Sequence, residues 1–143
     1  MERASLPAPA RAVALRLDPG EEVTERLSRV VIDERIEAGF VTVGIGSLRD
    51  TTLGYWDGRA YVRHVLSEPH ELLTLAGSVA RLKGEPHLHL HATLSDKDGR
   101  TFGGHFFSGK VAYLVELLVQ VYPTKFGRAE RPDGLKALTF ECP

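Results

Sequence analysis

Residues 84–105 read Gly84-Glu85-Pro86-His87-Leu88-His89-Leu90-His91-Ala92-Thr93-Leu94-Ser95-Asp96-Lys97-Asp98-Gly99-Arg100-Thr101-Phe102-Gly103-Gly104-His105. This stretch holds four of the six histidines of the chain. Three of them alternate with leucines, and a period of two residues is typical of a β-strand. In such a strand the imidazoles of His87, His89 and His91 point to one face, while Leu88 and Leu90 point to the other. The pattern predicts a strand with one polar face and one apolar face.

A hairpin loop is predicted directly after the histidine strand. The residues Asp96-Lys97-Asp98-Gly99 suit a type I turn followed by a glycine at positive φ. With three loop residues, Asp96 faces Arg100, and the same register places His91 directly opposite His105. A bulge at Gly103-Gly104 would instead turn His105 to the other face of the sheet.

A metal site is the first functional prediction from this register. Directly opposed Cβ atoms lie about 4.5–5.5 Å apart and diagonal ones about 7–8 Å, so His105 can meet both His91 and His89. Three histidines and a water molecule form a known zinc site. His87 lies ~13 Å along the strand from the His91–His105 pair and is the poorest candidate of the four. The alternative is a polar sheet face that carries histidines without a metal.

The motifs of this region resemble those of the PPC domain, the "plants and prokaryotes conserved" domain, in its prokaryotic stand-alone form. The resemblance extends from about Ala12 to Phe140. It is carried by Gly-x-Pro-His-x-His-x-His at 84–91, Ser-Asp-x-Asp-Gly at 95–99, Gly103-Gly104-His105, Gly109, Pro19-Gly20-Glu21-Glu22, Gly44-Ile45-Gly46-Ser47-Leu48 and Glu71-Leu72-Leu73-Thr74-Leu75-Ala76-Gly77.

The resemblance implies both a fold and a metal site. Prokaryotic members hold a metal, taken to be zinc, with three histidines, and the matching positions here are His89, His91 and His105. The family fold is an antiparallel sheet with a helix, assembled as a trimer. Plant members join the domain to an AT-hook that binds DNA, and this sequence shows no such hook.

We therefore expect an α+β fold, mainly antiparallel sheet with one long helix near the N-terminus. Acidic residues in the first turn and apolar residues at helical spacing predict that helix at Glu21–Ala38, with Gly39 ending it. Residues 1–10 are expected to form a flexible leader, and residues 11–143 a single PPC-like domain.

Further strands are predicted on both sides of the histidine hairpin. Phe40–Gly46 is expected to be a buried strand, and its Gly-x-Gly lacks the order of a dinucleotide-binding turn, so nucleotide binding is not expected and no cofactor-binding residue is assigned. Asp57-Gly58 predicts a two-residue turn between strands. The valines of Lys110–Tyr122 favour a strand over a helix. That strand is apolar on nearly both faces, which indicates a surface buried between copies of the chain, and the family resemblance makes the oligomer a homotrimer.

Composition excludes several classes of protein. A net charge of −1 and a pI near 6.6 give no general attraction to DNA or to anionic membranes. The single cysteine, Cys142, allows no internal disulfide and no cysteine metal cluster. No apolar run is long enough for a membrane span or a signal peptide. We expect a cytoplasmic protein.

Three functional hypotheses follow. The first is a homotrimeric zinc-binding protein whose small-molecule ligand, if it has one, is unknown. The second is a DNA-binding regulator that uses the basic segment Thr124–Lys136 for phosphate contacts, which the net charge does not favour. The third is a zinc enzyme, in which Glu71 or Glu116 could serve as a base only if folding brings them near the histidines. No catalytic residue can be assigned, and a protein without catalytic activity is the expectation.

Overall fold

The computed structural model describes residues 1–141, so Cys142 lies outside the described residues. The elements in chain order are β1 (Arg11–Leu17), α1 (Val23–Asp33), β2 (Gly39–Trp56), β3 (Tyr61–Leu66), β4 (His70–Leu82), β5 (Glu85–Ser95), β6 (Thr101–Val121), β7 (Lys125–Glu130) and β8 (Lys136–Glu141). All the strand ladders of the described chain are antiparallel. The predicted α+β fold with a mainly antiparallel sheet is confirmed.

Four of the strands close into a ring. The main sheet has the order β1-β6-β5-β4-β2-β3, and β2 also pairs with β6. β2 pairs with β4, β4 with β5, β5 with β6, and β6 again with β2. These four strands therefore form a closed ring in which each strand has a partner on both sides. β1 pairs with β6 beyond the residues of β6 that pair with β5, and β3 pairs with β2 beyond the residues of β2 that pair with β4. The 21-residue strand β6 joins β1, β2 and β5.

Helix α1 packs against the inner apolar residues of this ring. Val23, Leu27 and Val31 follow each other at four-residue spacing, are fully buried and belong to the main core cluster. Glu22 caps the helix, because its side chain accepts a hydrogen bond from the Glu25 backbone N–H at 2.7 Å. The same carboxylate accepts from the Gly109 N–H at 3.0 Å, which ties the start of the helix to β6.

The helix is shorter than predicted, and Gly39 does not end it. It has 11 residues, too few to cross a membrane, and no other helix occurs in residues 1–141. Its C-terminal turn is closed by hydrogen bonds from the Ile36 N–H to the Val31 carbonyl and from the Arg35 N–H to the Ile32 carbonyl. Arg35 adopts a φ of 51°, which turns the chain so that Ile36 enters the core. Ile36 lies within the range predicted as helix because an apolar residue at this position fits the helical period.

Two features of β2 also differ from the sequence predictions. Val43 and Ile45 are exposed, because a register shift between β2 and β6 at Val41/Val43 turns them to the outer face, while Gly44 between them is buried. The turn to β3 is a four-residue loop, since Trp56 pairs with Tyr61. The Asp57 carboxylate accepts hydrogen bonds from the backbone N–H groups of residues 59 and 60, both at 2.8 Å, and so holds the wider loop.

A second, two-stranded sheet is formed by β7 and β8. We call this pair the C-terminal hairpin. Phe126 on β7 is buried among the rings of Phe40, Tyr122 and Phe140, with centroid distances of 5.4, 6.3 and 5.4 Å. Leu6, from the N-terminal segment without helix or strand, packs against the same cluster. The hairpin therefore lies against the outside of the ring beside β4.

Candidate metal centre

The predicted register of the histidine hairpin is confirmed. His91 pairs with His105 and Ser95 with Thr101, without a bulge at Gly103-Gly104. The loop is fixed by local contacts: the backbone N–H of Asp96 donates to the Arg100 carbonyl at 2.9 Å. Gly99 adopts a φ of 78°, as a left-handed glycine at the end of a three-residue loop requires.

The alternation of histidines and leucines also has the predicted result. Leu90 belongs to the core and is only 1% exposed. Leu88, which is partly buried, packs against the same core cluster. The histidines lie on the outer face of the ring, where His89 pairs with Ser78 and His91 with Ala76 of β4. The small side chains of β4 leave the outer surface open beside the imidazoles.

Three of these histidines converge. One nitrogen of each of His89, His91 and His105 lies within 4.8 Å of the others. The Nε2 atoms of His89 and His91 are 3.3 Å apart. Ligands about 2.0–2.1 Å from a tetrahedral zinc ion are separated by roughly 3.3 Å, so this pair already has the spacing of two zinc ligands. His87 is outside this group.

His105 is held in an aromatic surrounding. Its ring lies 4.8 Å from that of Tyr61 and 4.6 Å from that of Phe107, measured between centroids. Burial, together with the positive charge that His89 and His91 can carry, lowers the pKa of His105 to about 4 from an ordinary value of 6.5. The neutral imidazole, which is the form that binds a metal, is therefore the form present near pH 7.

Arg128 brings a positive charge to the other side of the cluster. Its Nη2 donates to the Oγ of Ser78 at 2.7 Å, and Ser78 is the ladder partner of His89. Burial lowers the pKa values of His87 and His89, and the positive charge of Arg128 lowers them further. The charge of Lys136 also lowers the pKa of His87. The electrostatic surroundings therefore favour neutral histidines and bound anions.

A cleft of about 660 Å³ opens beside the three histidines. It lies between the outer face of the ring and the C-terminal hairpin. Its lining combines the histidines with cationic, aromatic and aliphatic side chains, and no carboxylate of residues 1–141 is among them. The lining residues are Trp56, Tyr61, Ser78, His87, Leu88, His89, His91, His105, Phe107, Arg128, Arg131, Gly134, Leu135, Lys136, Ala137 and Leu138. Such a cleft has the size of a small-molecule site.

The other residues considered from sequence lie elsewhere. Glu71 pairs with Ser95, four residues along β5 from His91, and Glu116 is exposed at the far end of β6. His64 lies on β3, while the His70 ring contacts the edge of Phe102 at 5.6 Å. None of these side chains joins the histidine group of the described chain.

The sequence did not indicate which residues form the cleft. The Asp57-Gly58 turn predicts strands on either side of it, but not that Trp56 and Tyr61 line a cleft, and the segment Thr124–Lys136 is predicted only as a basic segment for phosphate contacts. Its amino-acid pattern shows no regular apolar-polar alternation within Lys125–Glu130, because Phe126 and Arg128 share one face of the strand. The sequence therefore gives no information about which strand the hairpin packs against.

The histidine pKa values predict how the stability of the metal-free protein depends on pH. His105 takes up a proton near pH 6.5 when unfolded but only near pH 4 when folded, so the unfolded state binds more protons between these values. The free energy of unfolding of chelator-treated protein should therefore fall as the pH drops from 6.5 to 4. Urea unfolding at several pH values measures this. In His105→Asn the free energy of unfolding should depend less steeply on pH. Some dependence should remain, because the pKa values of His87 and His89 are also lowered. The same slope in variant and wild type would contradict the lowered pKa of His105.

Comparisons with known proteins show the family to which the chain belongs. The family model of the Plants and Prokaryotes Conserved (PCC) domain matches residues 5–123. The bifunctional protein GlmU of Synechococcus sp. strain JA-2-3B'a(2-13) is 33% identical over 127 residues, 89% of this chain. The chain spans only 19% of the length of that relative.

Two solved structures share the whole fold. A metal-containing protein from Archaeoglobus fulgidus is 30% identical with a TM-score of 0.89, over 97% of this chain and 99% of the other. A candidate DNA-binding protein from Ralstonia eutropha JMP134 is 27% identical with a TM-score of 0.81, over 90% of each chain. With the family model matching well over half of the sequence, the chain belongs to the Plants and Prokaryotes Conserved (PCC) domain family.

Proposed function

We propose that the protein binds one metal ion per chain through His89, His91 and His105, and that the ion is zinc. The convergence of three imidazole nitrogens within 4.8 Å carries this proposal. Two further observations support it. His89 and His91 on β5 have the spacing of two neighbouring zinc ligands. The similar protein from Archaeoglobus fulgidus is named as metal-containing. A donor set of imidazoles without carboxylates suits zinc better than magnesium or calcium.

A binding role is favoured over a catalytic one. Zinc held by three histidines keeps a fourth position open and would supply Lewis acidity there. The cleft beside the three histidines has no aspartate or glutamate among its described lining residues, so these residues supply no carboxylate base. We propose that the metal helps to bind a small molecule and that the protein acts in the cytoplasm.

Metal content tests the proposed site. Tag-free protein purified without chelator should contain about one zinc ion per chain by mass spectrometry. His89→Ala/His105→Ala should contain none, because one remaining imidazole holds zinc too weakly. The matched control is His64→Ala/His70→Ala, which removes two histidines outside the group and should keep the full zinc content. Circular dichroism checks that both variants fold.

Three outcomes would contradict the proposal. One is wild-type protein that contains no metal and takes up none from a zinc-buffered solution. Another is equal metal content in both double variants. The third is a different metal ion at full occupancy, which would support the three-histidine site but show that its ion is not zinc.

We also propose that the chain forms a homotrimer. Three exposed apolar residues lie on neighbouring strands: Ile45 on β2, Leu73 on β4 and Leu114 on β6. Their chain neighbours pair with one another, because Gly46 of β2 pairs with Leu72 of β4 and with Val115 of β6. They therefore form an exposed apolar patch on neighbouring strands, a feature that marks contact surfaces. Light scattering should give the mass of three chains, and Ile45→Glu should lower it. A wild-type monomer would contradict the trimer.

DNA binding is a second candidate. The relative from Ralstonia eutropha JMP134 is named for it, and the C-terminal hairpin carries Lys125, Arg128, Arg131 and Lys136. A surface that contacts DNA phosphates loses affinity with a slope of about −0.9 per contact in log K against log salt. A salt titration with duplex DNA measures that slope, and the net charge of −1 favours a flat response.

A further inference from the structure

Arg128 reaches the histidine cluster from a separate sheet. The β7–β8 ladder pairs Arg128 with Leu138, and on β7 it shares a face with the buried Phe126. Because Phe126 fixes the hairpin against the ring, the guanidinium is held beside β4 and donates to Ser78. Ser78 is itself buried, so this contact is protected from water. The charge is positioned by packing rather than by a flexible surface chain.

This guanidinium has no negative partner in the described part of the chain. No carboxylate of residues 1–141 lies within ion-pair distance of it, whereas Arg131 on the same hairpin pairs with Asp133 at 3.0 Å. The Nε of Arg128 is buried and donates no hydrogen bond. Burying a cation without a counter-charge is unfavourable, and burial lowers the pKa of Arg128 accordingly. An anion in the cleft would remove that penalty.

The remaining walls of the cleft are suited to an apolar group. Trp56 and Tyr61 pack edge to face at 5.1 Å, and Phe107 lies against Tyr61. Leu135 and Leu138 line the opposite side, from the C-terminal hairpin. A ligand that fills the cleft therefore needs a charged end near Arg128 and a flat or aliphatic body between these walls.

We propose that the cleft binds a small organic anion whose carboxylate or phosphate group is held by the guanidinium of Arg128 next to the histidine cluster. The inference rests on the proposed metal site in one respect: a zinc ion at the histidines places a second positive charge on the same anionic group. The planar guanidinium donates two parallel hydrogen bonds to either kind of anion, which is the usual geometry of its carboxylate and phosphate contacts. Lys136 adds charge at the cleft wall.

Calorimetric titration with three ring compounds tests this proposal. Benzoate and phenyl phosphate distinguish a carboxylate from a phosphate, and benzamide is the neutral control of similar shape. At least one anion should bind zinc-loaded protein, and benzamide should bind at least ~10-fold more weakly. Arg128→Gln should weaken anion binding roughly 10-fold to 100-fold, as expected for the loss of charge-assisted hydrogen bonds, with the zinc content unchanged.

The control variant is Arg100→Gln, which removes the same charge from the exposed loop of the histidine hairpin. It should bind the anions within about twofold of wild type. If Arg128→Gln does not fold, Arg128→Lys keeps the charge but loses the paired hydrogen bonds and should still weaken binding severalfold.

The outcomes separate this inference from the proposed metal site. Full zinc content with no binding of either anion, or with equal binding to the Arg128 variant, overturns the inference and leaves the metal site intact. Absence of zinc from the wild type overturns the metal site. In that case, anion binding to the metal-free protein that still depends on Arg128 supports the inference on its own.

Discussion

Gly77→Ala is expected to lower the free energy of unfolding by about 3 kcal/mol or more. Gly77 pairs with Leu90 across β4 and β5. A Cβ atom at this position would clash with the carbonyl oxygen of His89 and lie 2.8 Å from the Cα of Leu90. Both contacts are with backbone, so the clash is relieved only if the two strands separate. That movement would break ladder hydrogen bonds and displace His89 from the other two histidines.

Urea unfolding of chelator-treated protein, followed by the fluorescence of the single tryptophan, measures this loss. Gly103→Ala is the matched control, because it is also a strand glycine but its added Cβ would lie 3.3 Å from the nearest atom. It should lose less than ~1 kcal/mol. Zinc content should fall in Gly77→Ala and stay at the wild-type level in Gly103→Ala. A Gly77→Ala protein of wild-type stability would show that β4 and β5 approach less closely than described.

Phe126→Ala is expected to destabilise the protein by about 3–5 kcal/mol. Phe126 is fully buried and is the one ring that contacts Phe40, Tyr122 and Phe140 together. Its removal leaves a cavity under the C-terminal hairpin and weakens the contact that places Arg128 against Ser78. Anion binding in the cleft should therefore weaken as well, while the three histidines, which lie on the ring, keep their metal.

Urea unfolding and limited proteolysis together test this prediction. If the hairpin depends on Phe126, proteases should cut between residues 125 and 141 in the variant faster than in wild type. Phe102→Ala is the control: this ring is 36% exposed and touches only the edge of His70 among the aromatic rings described. It should lose no more than ~1 kcal/mol. Equal losses in the two variants would mean that the hairpin is held by other contacts.

The histidine hairpin could be predicted from sequence because its geometry is set locally. The alternation of His87 to His91 selects the strand, and the Asp96 carboxylate, which accepts hydrogen bonds from the N–H groups of Asp98 and Arg100 at 2.9 Å, selects the loop. Strand and loop together determine which residue faces His105. All this information lies within about 20 consecutive residues.

Other features could not be predicted because they depend on contacts between distant parts of the chain. The helix ends early because Ile36 fits a core built mainly by β-strands, which outweighs its helical spacing. Val43 and Ile45 are exposed because a register shift between β2 and β6 at Val41/Val43 turns them outward, which no local pattern shows. The contact between Arg128 and Ser78 joins positions 50 residues apart. Hydrophobicity and spacing indicate that a segment is a strand but not which surface it covers.

The long strand β6 has a consequence for the order in which the protein folds. Its partners lie at very different distances along the sequence: Arg11 and Gly39, from the first third of the chain, both pair with Val121, whereas β5 pairs with β6 across the short Asp96–Arg100 loop. Short loops close in well under a microsecond, and contacts between distant residues form much later. The pair His91 and His105 should thus form before the ring closes, so zinc can bind a partly folded chain. Stopped-flow refolding should then be faster with zinc in wild type, but not in His91→Ala.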